Sequence, residues 1–297
     1  IPLAHLFQNP SVEQIANLIQ FSKNTKTFSL VPMRTGGNQP KLFCIHSGGG
    51  NILCYSNLVR HLAQDYPIYG LQSLGLDGQQ KPLTSIEEMA TYYLESIRQV
   101  QPQGPLHLIG WCVGGTIAYE MAQQLQAKNE SVALLALIDS YAPTIIPVPS
   151  DIDQALVVNL LVQDLEGTYG QNLDLSLETL RTLSHEEQVT RLFEQAKLNG
   201  IFPREMKMGQ LLALWNVFQA NMMANASYKP KTYSGSVIQL NAREALPEVI
   251  QDPSLGWESF VRDHLQTHRI SGNHYTIIQS PQVKSLAEKL NTYLRHK

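Results

Sequence analysis

The pattern of apolar and polar positions changes period several times along the chain. In PSVEQIANLIQ, residues 10–20, Val12, Ile15, Ala16 and Ile19 fall at the three- and four-residue spacing of one helical face, with Ser11 placed to cap it. A helix this short is marginal alone and needs a surface to dock on. Residues 22–40 then turn polar, rich in Ser, Thr, Asn and Lys with a Gly36-Gly37 pair, and read as a linker. Beyond Pro40, short apolar runs alternate with longer amphipathic stretches. The runs are Leu42–His46, Pro67–Leu71, Leu106–Gly110, Val132–Ile138 and Val237–Leu240, with a further strand expected at Leu265–Ile270. Helices are expected at Ser85–Val100 and Val113–Lys128; in the second, Ile117, Met121 and Leu125 recur every four residues. This alternation predicts a mostly parallel sheet flanked by helices, joined by right-handed crossovers.

The alternation stops between about 149 and 230. ALVVNLLVQDL, LETLRTL, HEEQVTRLFEQAKL and MGQLLALWNVFQANMMANASY read as helices with no strand between them. An insertion of that size between two strands of one sheet is expected to fold over it as a lid, or else to extend the core.

Composition narrows the function classes. The 297 residues include 43% hydrophobic and 16% charged positions, ample for a large core, and the net charge is only -3. That balance offers no footprint for phosphate backbones or an anionic membrane, so neither nucleic acid nor membrane is expected as a partner. No apolar run approaches the roughly 18 residues of a membrane span, and IPLAHLFQNP lacks the charged start and apolar middle of a secretory signal. A soluble cytoplasmic protein is expected. The chain begins at Ile1, not Met, and is expected to be a piece of a longer one. Cys44, Cys54 and Cys112 are too few and too scattered for a disulfide framework or a CxxC metal site.

The strongest chemical signal is LHLIGWCVGG, residues 106–115. A strand ending near Gly110 and a helix starting near Val113 leave Cys112 on a sharp turn, where small neighbours at Gly110 and Gly114 are required. The helix N-terminus directs free N–H groups and positive charge at the thiol. A nucleophilic thiol needs a base, and the base an orienting acid. Asp139 follows the run VALLALI, at the carboxyl end of a neighbouring strand where open α/β sheets place their sites. His274 lies in ISGNHYTII, after a Gly272-Asn273 bend that can present an imidazole. Glu244, in NARE after another strand, is an alternative acid. The backbone N–H of Val113 and that of Gly48, in HSGGGN, are candidate donors of an oxyanion hole. HSGGG lacks both a Walker lysine and GxGxxG spacing, which argues against nucleotide binding. The remaining histidines show no HExxH-type spacing, so no metal is expected. Cys44 alternates with Phe43 and Ile45 as a core residue, and Cys54 is assigned to packing on the following helix. Met222, Met223, Trp215 and Phe218 are either helix packing or a substrate wall.

Together these segments resemble the terminal thioesterase domain of nonribosomal peptide synthetases and related polyketide synthases. KLFCIHSGGGNILCYSNLVRHL is similar to that family's opening strand, oxyanion loop and first helix. GPLHLIGWCVGGTIAYEMAQQL is similar to its nucleophile segment, ALLALIDS to its acid-bearing strand and SGNHYTI to its histidine loop. IPLAHLFQNPSVEQIANLI is similar to the end of a peptidyl carrier domain. The resemblance implies a carrier remnant at 1–21, a linker at 22–40 and an α/β-hydrolase domain at 41–297 with a lid at about 149–230. It implies a Cys112-His274-Asp139 triad with Val113 and Gly48 amides as the oxyanion hole. The substrate would be a peptidyl thioester on the 4′-phosphopantetheine arm of an upstream carrier domain, released by ring closure or hydrolysis, with no cofactor bound by the domain itself. The family usually carries serine in GWSxGG, and this chain has Cys112, either as its natural residue or in place of a serine. A small-molecule cysteine hydrolase of the dienelactone type and a non-catalytic docking module are the competing readings.

Overall fold

The structure is a computed structural model of the chain and describes residues 29–143, 153–244, 252–262 and 264–295. The segment expected as a carrier remnant, 1–21, lies outside the described residues, as does the first part of the expected linker.

Seven strands form one sheet in the order β1-β3-β2-β4-β5-β6-β7. They are β1 (Leu30–Arg34), β2 (Leu42–Ile45), β3 (Ile68–Leu71), β4 (Leu106–Trp111), β5 (Val132–Ile138), β6 (Val237–Ala242) and β7 (Leu265–Ile270). All adjacent pairs are parallel except β1 with β3. The central strands read as continuous apolar runs because both of their faces are covered, and β2 and β4 are buried at every position. One face carries α1 (Ser56–His61) and α8 (Val283–Arg295), the other α2 (Ile86–Arg98) and α3 (Val113–Ala127). α2 starts where Ser85 accepts the Glu88 N–H, with Glu87 and Glu88 in the first turn against the positive end of the helix.

β1 falls inside the segment expected as a linker. Val31 and Met33 point into the core, but this two-residue period lasts only five positions and is interrupted by Pro32. An edge strand tolerates that proline, because one side needs no ladder donor. Arg34 fastens the strand down: its guanidinium donates to the carbonyls of Val59, Leu62, Ala63 and Tyr66 at 2.5–3.2 Å, satisfying the free end of α1.

Between β5 and β6 stand four helices with no strand among the described residues: α4 (Gln154–Tyr169), α5 (Leu177–Arg181), α6 (His185–Leu198) and α7 (Met208–Ser227). They bury their own apolar cluster, which includes Leu161, Leu165, Leu192, Leu211, Trp215 and Phe218. The insertion therefore has a core separate from the two clusters on the faces of the sheet. Among the described residues no helix is long and apolar enough to cross a membrane.

Candidate active site

Everything chemically distinctive stands at the carboxyl ends of the parallel strands. β4 stops at Trp111, α3 begins at Val113, and Cys112 between them is held at φ 58°, ψ −129°. That left-handed conformation costs a non-glycine residue on the order of 1–3 kcal/mol and persists only where neighbours enforce it. Here they do so by close approach of backbone. A Cβ on Gly110 would stand 2.1 Å from the Gly114 carbonyl oxygen, and one on Gly114 would stand 2.4 Å from the carbonyl oxygens of both Ile45 and His46. Buried Tyr55 bridges the ends of two strands, donating to the Ile45 carbonyl at 2.6 Å and accepting the Trp111 N–H at 2.8 Å.

His274 follows β7 on a turn that Gly272 opens at φ 99°. Asn273 Oδ1 accepts the N–H groups of Tyr275 and Thr276 at 3.0 and 2.9 Å, and the Trp111 indole donates to the His274 carbonyl at 3.1 Å. The backbone of the histidine is thus tied from both sides. Its Nδ1–H donates to Asp139 Oδ2 at 2.7 Å, while Asp139 Oδ1 accepts the Ala242 N–H at 2.7 Å. The remaining ring nitrogen is left for the Cys112 sulfur, which acts electrostatically on the imidazole. Burial alone would lower the His274 pKa; the facing Cys112 sulfur and the Asp139 carboxylate outweigh it and hold the ring protonated up to about 10. Glu244, the alternative acid, is exposed, and it is Asp139 that meets the histidine.

Val113 is the first residue of α3, directly after Cys112, so its N–H has no partner within the helix. Gly48, after β2, is pressed beneath the insertion, where a Cβ would come 3.3 Å from Phe218 and 3.4 Å from the Met222 sulfur. Of the three consecutive glycines only Gly50 requires a positive φ, 77°. Two contacts set the planes of the Gly48 peptides. His46 Nδ1–H donates to the Ser47 carbonyl at 2.7 Å, with Tyr93 O–H donating to its Nε2 at 2.6 Å. Fully buried Asn221, on α7, donates to the Gly48 carbonyl at 2.9 Å. Burial pushes the His46 pKa down to about 4, so the ring is neutral and its tautomer is fixed by these two partners.

A cavity of about 510 Å³ adjoins this constellation, lined by residues next to it in the chain, Ser47, Gly49 and Trp111, and on the insertion side by Leu161, Asp164 and Thr168. Cys54 also lines it; the thiol packs against the core as expected, but from a single 3₁₀ turn, Leu53–Tyr55, ahead of α1 and not from the helix itself. Burial raises its pKa well above the ordinary thiol value. Cys44 is fully buried in β2, its thiol pushed up to about 12. Trp215 and Phe218 belong to the core of the insertion, whereas Met223 is exposed. Among the described residues no group of three or more His, Cys, Asp or Glu side chains is arranged to hold a metal.

Of the residues that sequence reasoning groups together, the structure joins His274 to Asp139 by a hydrogen bond, sets Cys112 within electrostatic reach of the ring with Val113 next to it in the chain, and lays the backbone just before Gly48 against α3 at Gly114. Sequence reasoning misses Tyr55, the His46–Tyr93 pair, Asn221 and Asp164. Asp164 had a signal, as the lone charge in ALVVNLLVQDL. The others carry none, since a buried tyrosine or asparagine at a helix position looks like packing until its partner is known.

The thioesterase domain family matches residues 40–294, and the chain belongs to that family. It is 29% identical over 299 residues to the dimodular nonribosomal peptide synthase of Bacillus subtilis (strain 168), an alignment covering 98% of this chain and 12% of that protein. It is 34% identical over 280 residues to malpibaldin synthetase of Mortierella alpina, covering 92% of this chain and 4% of that protein. The chain thus spans a small fraction of the length of these curated relatives. Among solved structures, holo-AB3403, a four-domain nonribosomal peptide synthetase bound to AMP and glycine, matches with TM-score 0.86 and 30% identity over 95% of this chain and 21% of that one. The Vlm2 thioesterase domain carrying a dodecadepsipeptide matches with TM-score 0.67 and 23% identity over 90% of this chain and 97% of that one, a likeness of fold. The fold is that of the α/β hydrolases, and the chain is a thioesterase domain of the nonribosomal peptide synthetase type.

Proposed function

We propose that this domain releases a peptidyl chain from an upstream carrier domain through a covalent thioester on Cys112. The single observation that carries the reading is the Cys112 sulfur on its strained turn, acting on an imidazole that Asp139 grips at 2.7 Å. His274 takes the proton of the Cys112 thiol as the sulfur attacks. The thiolate attacks the carbonyl carbon of the chain on the carrier's phosphopantetheine arm, and the N–H groups of Val113 and Gly48 receive the oxyanion. The carbon–sulfur bond to pantetheine then breaks, and the departing sulfur takes the proton from His274. Neutral His274 next accepts a proton from water or from a nucleophile on the chain itself as that group attacks the acyl-cysteine, freeing an acid or a ring. Asp139 keeps the imidazole in one tautomer throughout.

A thiol changes the energetics of the second half. Transfer from sulfur to sulfur is nearly isoenergetic, so the acyl-enzyme keeps the activation of the original thioester, whereas an ester on serine would surrender part of it. Thioesters favour attack by amines, which supports ring closure over attack by water. The four-helix insertion acts as a lid that keeps water out while an internal nucleophile arrives. Residues 1–21 are taken as the end of the carrier domain and the chain that follows as its tether. A soluble, cytoplasmic synthetase accords with this reading.

Incubation with synthetic peptidyl N-acetylcysteamine thioesters followed by intact-mass analysis tests it. The protein should gain the mass of the acyl group at Cys112, and Cys112→Ala should abolish both adduct and product. Release at the wild-type rate by Cys112→Ala would overturn the reading. The ratio of cyclic product to free acid, compared with Cys112→Ser, tests the preference for ring closure; equal ratios would count against it.

A further inference from the structure

One carboxylate beside the triad has no part in the release chemistry. Asp164 lies on α4 between Leu161 and Thr168, on the helical face that looks into the cavity. Leu161 and Leu165 on that face belong to the core of the insertion, so an apolar residue would be the ordinary occupant. Asp164 makes no hydrogen bond or ion pair among the described residues, and no lysine, arginine or histidine lines the cavity. Its Oδ2 is 3.9 Å from where a Cβ on Gly49 would stand, which sets the carboxylate against the oxyanion loop. Among the described residues the His274 imidazole is the cationic group that acts on it, and both Asp164 and Cys112 act on the Tyr275 ring. Asp164 thus stands within electrostatic range of the reacting centre. Burial raises its pKa to about 6, with His274 offsetting part of the rise, so the carboxylate is mostly charged at neutral pH.

A charged group in a confined site without a partner is costly, and the cost is removed by a ligand that brings the opposite charge. We propose that Asp164 binds substrate, selecting acyl chains that carry an aliphatic ammonium group and receiving that group in the cavity while the carbonyl lies on Cys112. Asn57 and Ser47 also line the cavity and carry side-chain oxygens that can accept ammonium protons, and Leu161 and Leu165 pack its methylenes. The ammonium has two sources, a side chain or the amino end of the peptide. This inference rests on the thioesterase reading above and names the substrate class of the same site.

The test uses a matched set of short peptidyl thioesters at pH 7: one with a side-chain ammonium, one with a free terminal ammonium, and each with that amine acetylated. Wild-type kcat/KM should favour an ammonium over its acetylated match by at least tenfold, and the arm that shows the preference identifies the source. Asp164→Asn should cut the ratio about tenfold, and Asp164→Glu should restore part of it. An unchanged ratio in Asp164→Asn overturns the proposal. So does an equal loss on every substrate with a shifted pH profile, which would mean that Asp164 acts through His274. Calorimetric binding of the corresponding peptide amides needs no turnover. The same ranking in binding without any release would sink the thioesterase reading and leave Asp164 as a cation site; no ranking in binding would sink Asp164 alone.

Discussion

Replacing Gly114 by alanine should damage fold and site together. The first turn of α3 crosses the end of β2 so closely that the new Cβ would stand 2.4 Å from the Ile45 and His46 carbonyl oxygens. That is about 1 Å inside ordinary contact, and both obstacles are backbone. β2 cannot simply retreat, because the Ile45 carbonyl accepts Tyr55, whose oxygen in turn accepts the Trp111 N–H. Alanine gains about 1 kcal/mol of helix propensity over glycine. Overpacking against two carbonyls costs on the order of 3 kcal/mol, leaving a net loss of about 2 kcal/mol. The surviving protein relieves the clash by moving α3 away from the His46–Gly48 loop, which draws the Val113 and Gly48 donors apart. A displacement of about 1 Å lowers turnover roughly a hundredfold. Denaturant unfolding and thioester release rates read the two effects. Gly209→Ala is the internal control: nothing lies within 4 Å of its Cβ, so stability should hold or rise by up to about 1 kcal/mol with release unaffected. The reasoning fails if Gly114→Ala unfolds within about 0.5 kcal/mol of wild type and turns over within about threefold of it.

Exchanging Cys112 for serine removes the sulfur that helps hold His274 protonated, so the imidazole should titrate well below the wild-type value of about 10, as read from its ring proton shifts. Because the folded pKa is raised, the stability this proton lends is complete below pH about 6.5 and lost as pH climbs through the folded value, so in the serine variant the loss should come at lower pH. Asn221→Leu deletes the bond to the Gly48 carbonyl; stability should drop by about 1 kcal/mol, and kcat should fall while KM changes little, whereas a change in KM alone would show that Asn221 contacts substrate. Arg34→Ala strips the donors from the end of α1 and should cost about 2 kcal/mol in thermal or denaturant unfolding without altering release kinetics.

What the chain discloses before folding divides along a physical line. Cys112, with small residues two before and two after, is legible because a strand-to-helix reversal imposes a local steric requirement, and steric requirements appear in sequence as glycine at fixed spacing. Asp139 and His274 are legible by a different route, since Asp139 closes an apolar run at the carboxyl end of one strand and His274 follows a glycine bend just past the carboxyl end of another, and a parallel sheet gathers such ends at one edge. β1 fails both tests: five residues of two-residue period beside polar neighbours carry too little signal, and its anchor, Arg34, bonds to carbonyls 25 to 32 residues away. Asn221 and His46 fail for the same reason. Their work is to orient a peptide group, and any side chain of suitable length in a suitable place can do that, so no residue type or spacing announces it. Asp164 is intermediate, conspicuous as a charge among leucines and valines but without meaning until α4 is laid beside the oxyanion loop. The groups that break and form bonds must be chemically particular and so leave a mark in the chain, whereas those that aim them are particular only in position and emerge with the fold.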